Sequence, residues 1–290
     1  MKFQLTSQLD YEVKFPSTII FSVCAADTHS QIIVSENLSI SPDVKFDEMT
    51  SDFSGSRFIR VETGKAQTLT LKYDAVVEQQ IELIPVEKIK STQIGKLAGD
   101  IVPYLFPSRY CQSDRLGRFA VDYFGKHETQ YEIVVAITSW IYENIEYLPG
   151  TTDSATSAFD TVTQRTGVCR DFAHLGIALC RAMSIPARYF TGYAHELNPP
   201  DFHACFEAYL GGRWLIFDPT RLSHLNGLVR IATGRDAADT AVASVFGRIN
   251  CTSMSVDCVP AEDGYQPFSH EQLEQQAVCL EPAIKKNKDN

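Results

Sequence analysis

The sequence lacks the features that mark several large classes of protein. No apolar run approaches the ~18 residues that a membrane-spanning helix needs, and the first residues hold no continuous apolar segment like that of a signal peptide. Basic residues are also scarce, since 26 Lys and Arg stand against 36 Asp and Glu and give a net charge of −10. An acidic chain without a basic patch is poorly suited to phosphate backbones or anionic lipids. We therefore expect neither nucleic acid nor a membrane as a partner.

The eight cysteines are not arranged as ligands of a structural metal or as a redox pair. No CxxC motif and no Cys/His cluster with ligand spacing is present, which argues against structural zinc and against a thiol redox protein. We predict no metal and no cofactor. The wide spread of the cysteines favours a reducing compartment, and we predict a cytoplasmic protein. Cys251 and Cys258 could close a small disulfide loop, but free thiols are the favoured interpretation in that compartment.

The chain has 290 residues, of which 44% are hydrophobic and 21% charged, as expected for a globular protein of one large or two smaller domains. Residues 1–85 are predicted to form a β-rich domain, because short β-branched and aromatic runs alternate with polar turns. Residues 86–126, punctuated by prolines, form a predicted connector. Residues 127–260 form the predicted catalytic domain, and residues 261–290 a C-terminal extension whose tail is expected to be disordered.

A first amphipathic helix is predicted over residues 127–148. Its apolar residues recur at helical spacing, at Val134, Ile137, Ile141, Ile145 and Leu148. Pro149 and Gly150 then stop the helix. Trp140, at the margin of the apolar face, is interpreted as a core residue.

A second helix, predicted to be buried, follows Thr166 and Gly167. Its apolar and small residues recur at Phe172, Leu175, Gly176, Leu179, Cys180 and Met183. Pro186 cannot continue the helix, so we expect it to end near Ser184. Cys169 falls at the start, where free backbone N–H groups and the positive end of the helix dipole lower the pKa of a thiol. A lone cysteine is usually a core residue, so this position needs a partner before it indicates chemistry.

A predicted β-hairpin supplies that partner. A two-residue loop at Gly211 and Gly212 places Cys205 opposite Asp218, provided that neither strand contains a bulge. Alternate residues of a strand share a face, so His203 and Asp218 lie on the same side as diagonal neighbours roughly 7–8 Å apart. A hydrogen bond between the two side chains is therefore available. Cys205 is interpreted as a packing residue.

Cys169, His203 and Asp218 thus offer the three roles of thiol catalysis: a nucleophile, a base, and a group that orients the base. A buried structural cysteine and an unrelated His–Asp hydrogen bond would explain the same residues, and the residues alone leave the two interpretations comparable. His174 and His195 are interpreted as structural or surface residues rather than as ligands.

Longer motifs around these positions resemble the transglutaminase-like superfamily. The motifs are GVCRDFA at 167–173, IPARYFTGY at 185–193, HA at 203–204 and FDPT at 217–220. The chain is most similar to the bacterial branch of transglutaminase-like enzymes described as candidate cysteine proteases, and residues 1–85 resemble the β-rich N-terminal region of that branch. The resemblance implies an α+β fold with a papain-like core, in which the helix bearing the cysteine packs on an antiparallel sheet. It also implies that Cys169 is the nucleophile, His203 the base and Asp218 the orienting group.

The activity implied by this resemblance is thiol-dependent acyl transfer. In the predicted reaction the Cys169 thiolate attacks an amide carbonyl, His203 protonates the leaving amine, and a thioester forms. The backbone N–H of Cys169 is one predicted oxyanion donor, and the second donor is left unassigned. Hydrolysis of the thioester, the predicted outcome, makes the protein a cysteine protease or amidase acting on a peptide or protein amide. Capture by an amine would instead make it a transglutaminase.

Two observations weigh against the alternatives. A transglutaminase must keep water from its thioester, but the position after the His203–Ala204 pair, tryptophan in many relatives, is Cys205 here, and the chain has two tryptophans in all. A non-catalytic peptide-binding scaffold with the same fold is also open, because fold does not fix function. The presence of all three predicted catalytic residues disfavours the scaffold. The sequence makes no prediction of the oligomeric state.

Overall fold

The structure is a computed structural model that describes residues 1–51 and 55–282. The N-terminal part consists of antiparallel strands joined by turns. Its strands are β1 (Lys2–Val13), β2 (Thr18–Phe21), β3 (Gln31–Ser41), β4 (Lys45–Thr50), β5 (Arg57–Glu62), β6 (Thr68–Gln79) and β7 (Glu82–Pro85). Buried residues alternate with less buried ones along β1 and β6, so each strand turns one face to a core.

Helices and a further sheet follow a connecting segment that contains only short 3₁₀ turns between residues 86 and 115. The helices are α1 (Gly117–Phe124), α2 (Gln130–Asn144), α3 (Ala158–Gln164), α4 (Cys169–Ala182) and α5 (Ala237–Thr240). The remaining strands are β8 (Glu146–Tyr147), β9 (Thr166–Gly167), β10 (Ala187–Ala194), β11 (His203–Leu210), β12 (Arg213–Phe217), β13 (Leu228–Gly234), β14 (Ala243–Phe246), β15 (Ile249–Pro260) and β16 (Gln276–Cys279). The predicted α+β fold class is confirmed.

Late strands complete the sheets of the N-terminal part. One sheet has the order β15-β1-β6-β3 and the other the order β14-β2-β5-β4. Residues 243–260, which fall in the predicted catalytic segment 127–260, therefore pair with strands from the first 21 residues. β16, from the predicted C-terminal extension, pairs with β7. The last part of that extension, residues 283–290, lies outside the described residues.

The central sheet has the order β12-β11-β10-β13, and all of its pairings are antiparallel. One hydrophobic cluster joins this sheet to α1, α2, α3 and α4. A second cluster, in which Tyr193, Phe202 and Ile231 take part, joins the same sheet to the N-terminal strands. The central sheet therefore lies between the helices and the N-terminal strands.

Helix α4 is buried along nearly its whole length, from Asp171 to Arg181, as predicted. Gly176 allows its close approach to the sheet, because a Cβ at this position would lie 2.5 Å from Cε1 of Phe206. The helix ends at Ala182, two residues before the predicted end. Its first residue, Cys169, lines a pocket together with His203 and Ala204 of β11 and Tyr189 and Thr191 of β10.

The prediction of a helix up to Leu148 is wrong in its last turn. α2 ends at Asn144, and residues 146–147 instead form the short strand β8, which runs parallel to β9. The backbone N–H of Glu146 donates to the carbonyl of Arg165. The extended backbone therefore gives this N–H a hydrogen-bond acceptor without a further helical turn. This difference brings Tyr147 beside Gly167, two residues before Cys169.

Within the described ranges, no helix has both the length and the apolar character needed to cross a membrane.

Candidate active site

Cys169 is the first residue of α4, as predicted, and its side chain is half-buried. The start of the helix is fixed by Asp171, whose Oδ2 accepts the backbone N–H of Val168 at 3.0 Å. The other carboxylate oxygen of Asp171 binds the guanidinium of Arg170 at 3.0–3.1 Å. The same guanidinium donates to the carbonyl of Asp153 at 2.7 Å. These contacts tie the loop before the helix to its first turn and hold Cys169 in place.

The predicted hairpin is confirmed in its register. Gly211 and Gly212 have φ values of 60° and 85°, as a two-residue type I′ loop requires, and Leu210 pairs with Arg213. The ladder continues without a bulge to Phe206 and Phe217. Beyond this last pair, Nε2 of His203 lies 2.9 Å from Oδ2 of Asp218. The two side chains are 1% and 0% exposed, so this hydrogen bond is shielded from water.

The Cys169 thiol interacts with the imidazole of His203, so the structure brings the three predicted residues together. Because Asp218 occupies Nε2, the nitrogen of the ring left for the thiol is Nδ1. Burial alone would lower the pKa of His203, but the Asp218 carboxylate outweighs burial and holds this pKa well above its usual range. The imidazole can therefore carry a proton near neutral pH.

Asp218 is itself held by neighbouring donors. Its Oδ1 accepts the backbone N–H and the hydroxyl of Thr220, at 2.9 and 2.7 Å, and its Oδ2 accepts the hydroxyl of Ser223 at 3.3 Å. Burial favours the neutral acid, but the His203 ring and these hydrogen bonds lower the pKa of Asp218 to about 2. The Asp-Pro-Thr turn was a sequence signal for this clamp, because aspartate often binds the backbone two residues onward.

Tyr147 is a site residue that the sequence reasoning missed. Its ring packs on Phe172 with a centroid distance of 5.8 Å, and its hydroxyl interacts with the backbone N–H of Cys169. Burial, together with the nearby Cys169 thiol, raises the pKa of Tyr147 to about 12, so the hydroxyl keeps its proton at neutral pH. The backbone N–H of Cys169, the predicted oxyanion donor, thus has beside it a hydroxyl whose own proton is available for donation.

Cys205 lies close to the His–Asp pair. The ligand atoms of His203, Cys205 and Asp218 fall within 4.8 Å of one another, and all three residues are buried. Burial raises the pKa of the Cys205 thiol to about 12, which disfavours the thiolate that a metal would need. Nε2 of His203 and Oδ2 of Asp218, two of the atoms that a metal would need as ligands, are already joined by a hydrogen bond. Cys205 therefore fits its interpretation as a packing residue better than that of a metal ligand.

The other residues singled out in the sequence lie apart from this centre. His174 is buried, stacks on Tyr110 at 4.9 Å and accepts the backbone N–H of Ala237 through Nε2. His195 hydrogen-bonds the carbonyl of Cys258 at 2.9 Å. Both contacts agree with a structural role. Cys251 and Cys258 are free thiols seven residues apart on the same extended strand, which separates them too widely for a disulfide.

This arrangement, a thiol at the start of a buried helix facing a His–carboxylate pair on an antiparallel sheet, is the layout of papain-like folds. Within that class the chain belongs to the transglutaminase-like superfamily. The model of this superfamily matches residues 118–219, and that of the bacterial transglutaminase N-terminal domain matches residues 1–100. The resemblance inferred from the motifs is thereby confirmed.

Known proteins similar to this chain include one with a solved structure. A candidate cysteine protease from Cytophaga hutchinsonii is 52% identical, with a TM-score of 0.93 and 97% of each chain covered. An uncharacterised protein of Mycobacterium leprae is 30% identical over 200 residues, which cover 65% of this chain and 71% of that protein. Another, from Mycobacterium tuberculosis, is 29% identical over 266 residues, with 80% and 83% covered.

Proposed function

We propose that the protein is a thiol-dependent acyl-transfer enzyme that hydrolyses an amide bond of a peptide or protein. The observation that carries the proposal is the buried His203, whose ring lies in one pocket with Cys169, interacts with its thiol, and is hydrogen-bonded to Asp218 at 2.9 Å. A base fixed between a nucleophile and a carboxylate is the arrangement that activates a thiol. The description of the Cytophaga hutchinsonii protein as a candidate cysteine protease supports the same activity.

The proposed first half-reaction forms a thioester. The thiol proton of Cys169 passes to Nδ1 of His203, and the thiolate sulfur bonds to the carbonyl carbon of the amide. The backbone N–H of Cys169 and the hydroxyl of Tyr147 stabilise the negative oxygen of the tetrahedral intermediate. As the C–N bond breaks, the imidazolium returns its proton to the leaving nitrogen, which departs as an amine.

The proposed second half-reaction consumes water. Neutral His203 takes a proton from the water, and the resulting oxygen nucleophile attacks the thioester carbonyl. The C–S bond then breaks, the imidazolium reprotonates the sulfur, and a carboxylic acid leaves. Asp218 keeps the same ring orientation in both halves, because its own position is fixed by Thr220 and Ser223.

The positions of the tryptophans favour water over an amine as the acceptor. Trp140 packs against Phe119 and Tyr123 at 5.1 and 5.5 Å, and Trp214 packs against Tyr104 at 5.2 Å. Neither indole lines the pocket beside Cys169. A wall of large aromatic side chains that would exclude water from the thioester is thus not supplied by these residues.

The proposal is tested with purified protein and a library of glutamine-containing peptides, with and without an excess of a primary amine. Mass spectrometry of the products should show shortened peptides or free acids even in the presence of the amine. The Cys169→Ala variant should give no product. Products dominated by amine adducts would make the protein a transglutaminase. Absence of any product, with the folded protein intact, would favour the peptide-binding scaffold.

A further inference from the structure

A pocket of about 310 Å³ opens beside Cys169 and His203. One wall is apolar and is formed by Val242, Ala243 and Met254, which belong to the segments that return to the N-terminal sheets. Phe202 adds a further apolar surface, and Asp201 lies next to it. The pocket therefore combines an apolar wall with a carboxylate within the candidate active site.

The carboxylate of Asp201 is only partly paired within the protein. Its Oδ1 accepts the backbone N–H of Phe202 at 2.7 Å, and among the described residues Asp201 forms no salt bridge. Of the two cationic groups that line the pocket, Arg170 is already paired with the fully buried Asp171, and the His203 ring is hydrogen-bonded to Asp218. Asp201 thus lines the pocket with a carboxylate whose Oδ2 has no hydrogen-bond partner among the described residues.

Asp201 is also close to the reacting groups. Its charge acts on both the His203 ring and the Tyr147 hydroxyl, while the residue itself remains exposed at the rim of the pocket. Partial desolvation raises the pKa of Asp201 above its usual value, and the Phe202 N–H and the nearby His203 ring offset this shift only in part. A ligand cation would supply a direct ion pair.

We propose that Asp201 determines substrate class by binding the cationic head of a lysine or arginine side chain on the peptide that Cys169 attacks. Lysine and arginine both carry a long aliphatic stem, which fits the apolar wall, and a terminal charge, which fits the carboxylate. A neutral or acidic side chain would leave Asp201 desolvated and unpaired, and the site would reject it for that reason. The net charge of −10 adds a general attraction for basic peptides. This inference rests on the proposed function, since it assumes that Cys169 reacts with a peptide.

The test uses peptide vinyl sulfones, which alkylate an activated thiol and need no turnover. Two matched sets would be scanned, with lysine in one and norleucine in the other at each position flanking the electrophile, and the modified residue would be mapped. We expect the lysine probe to label Cys169 about tenfold faster than the norleucine probe at one position, the value of a hydrogen bond to a charged group. Asp201→Asn should reduce this ratio to about one, and Asp201→Lys should favour a glutamate probe. Asp263→Asn, which changes an exposed acid that does not line the pocket, should keep the ratio.

The outcomes separate this inference from the proposed function. Equal labelling of Cys169 by the lysine and norleucine probes at every position, or a ratio that survives Asp201→Asn, would overturn the role of Asp201 and leave the amide hydrolase intact. A lysine preference that depends on Asp201, in a protein that turns over no amide, would support the binding site while contradicting the hydrolytic activity.

Discussion

Nε2 of His203 lies 2.9 Å from Oδ2 of Asp218, and neither side chain is more than 1% exposed. A charged hydrogen bond that is shielded from water is strong, and it fixes which ring nitrogen faces the thiol. Asp218 cannot turn away, because Thr220 holds its other oxygen at 2.7 and 2.9 Å. The ring orientation that acyl transfer needs is thus present before any substrate binds.

Replacing this carboxylate should change the pH dependence of Cys169 labelling or of peptide cleavage. The carboxylate raises the pKa of His203, so the imidazolium that partners the thiolate persists to higher pH in the wild type. In Asp218→Asn that pKa falls, and the alkaline limb of the rate profile should move to lower pH by roughly 1–3 units. The measurement is the rate against pH, with thermal melting to verify folding.

Thr220→Val is the matched control for this prediction. It removes the hydroxyl that binds Asp218 but keeps the carboxylate charge, so the alkaline limb should stay near its wild-type position. If Thr220→Val moves the limb as far as Asp218→Asn does, general disturbance of the turn, and not the carboxylate charge, sets the pKa of His203.

Cys169 should be the first cysteine alkylated by iodoacetamide near neutral pH. Exposure alone favours Cys251, because it is exposed whereas Cys169 is half-buried and the other six are buried. Partial burial, however, raises the pKa of Cys251, while Cys169 lies beside a base. Peptide mapping after brief labelling of the native protein shows whether exposure or activation of the thiol determines which cysteine reacts first. Faster labelling of Cys251 would show that exposure, rather than activation, governs reactivity.

His203→Ala serves as the comparison for the labelling experiment. It should slow the alkylation of Cys169 in a folded protein and leave that of Cys251, an exposed thiol on β15 that does not line the pocket, unchanged. Equal slowing at both cysteines would point to a global change in the protein.

The hairpin and the helix of Cys169 could be predicted because their signals are local. Two glycines in sequence define the turn, and the period of two along each strand then fixes the face of His203 and Asp218. The same local logic located Cys169 at the start of α4. The predicted site residues therefore came from patterns contained within short stretches of the chain.

Tyr147 and the apolar pocket wall could not be predicted in this way. Tyr147 reaches Cys169 because a two-residue strand pairs with Gly167, and a strand this short leaves no periodic signal. Met254 lines the pocket because its strand returns to pair with Leu9, more than 200 residues earlier. Pairings at such separation depend on the whole fold rather than on local sequence.

Gly176→Ala should destabilise the protein. Alanine favours a helix over glycine by about 1 kcal/mol, but a Cβ here would lie 2.5 Å from Phe206, and overpacking costs about 1–3 kcal/mol. We expect the cost of overpacking to win, because Phe206 is buried and stacked on Phe217 and cannot move aside. Urea unfolding would measure the difference in the free energy of unfolding.

Two variants check the explanation for Gly176. Gly117→Ala, in α1, meets nothing within 4 Å and should be neutral or mildly stabilising. Phe206→Leu should make the alanine at position 176 less costly than it is in the wild type, since the smaller ring-free side chain leaves room. If the effects of Gly176→Ala and Phe206→Leu on the free energy of unfolding are additive, the close contact between these residues is not the cause.

Tyr147→Phe should lower kcat for amide cleavage with little change in KM. The change removes a single hydroxyl from beside the backbone N–H of Cys169 and keeps the ring that packs on Phe172. If the hydroxyl donates to the tetrahedral oxyanion, its loss should slow the reaction about 100-fold, as for other oxyanion donors. The comparison is Tyr123→Phe, an exposed tyrosine that packs on Trp140 away from the pocket and should leave kcat unchanged.

Whether kcat falls or rises in Tyr147→Phe distinguishes two possible roles of the hydroxyl. In the resting structure the oxygen of Tyr147 interacts with the N–H that a substrate oxyanion would need, so it could also compete with substrate for that donor. A competing group would depress the rate in the wild type, and Tyr147→Phe would then be faster. A slower variant with an unchanged rate of iodoacetamide labelling at Cys169 would assign Tyr147 to the oxyanion, because alkylation forms no oxyanion and needs only the activated thiol. A faster variant would contradict that assignment and leave the Cys169 N–H as the donor without Tyr147.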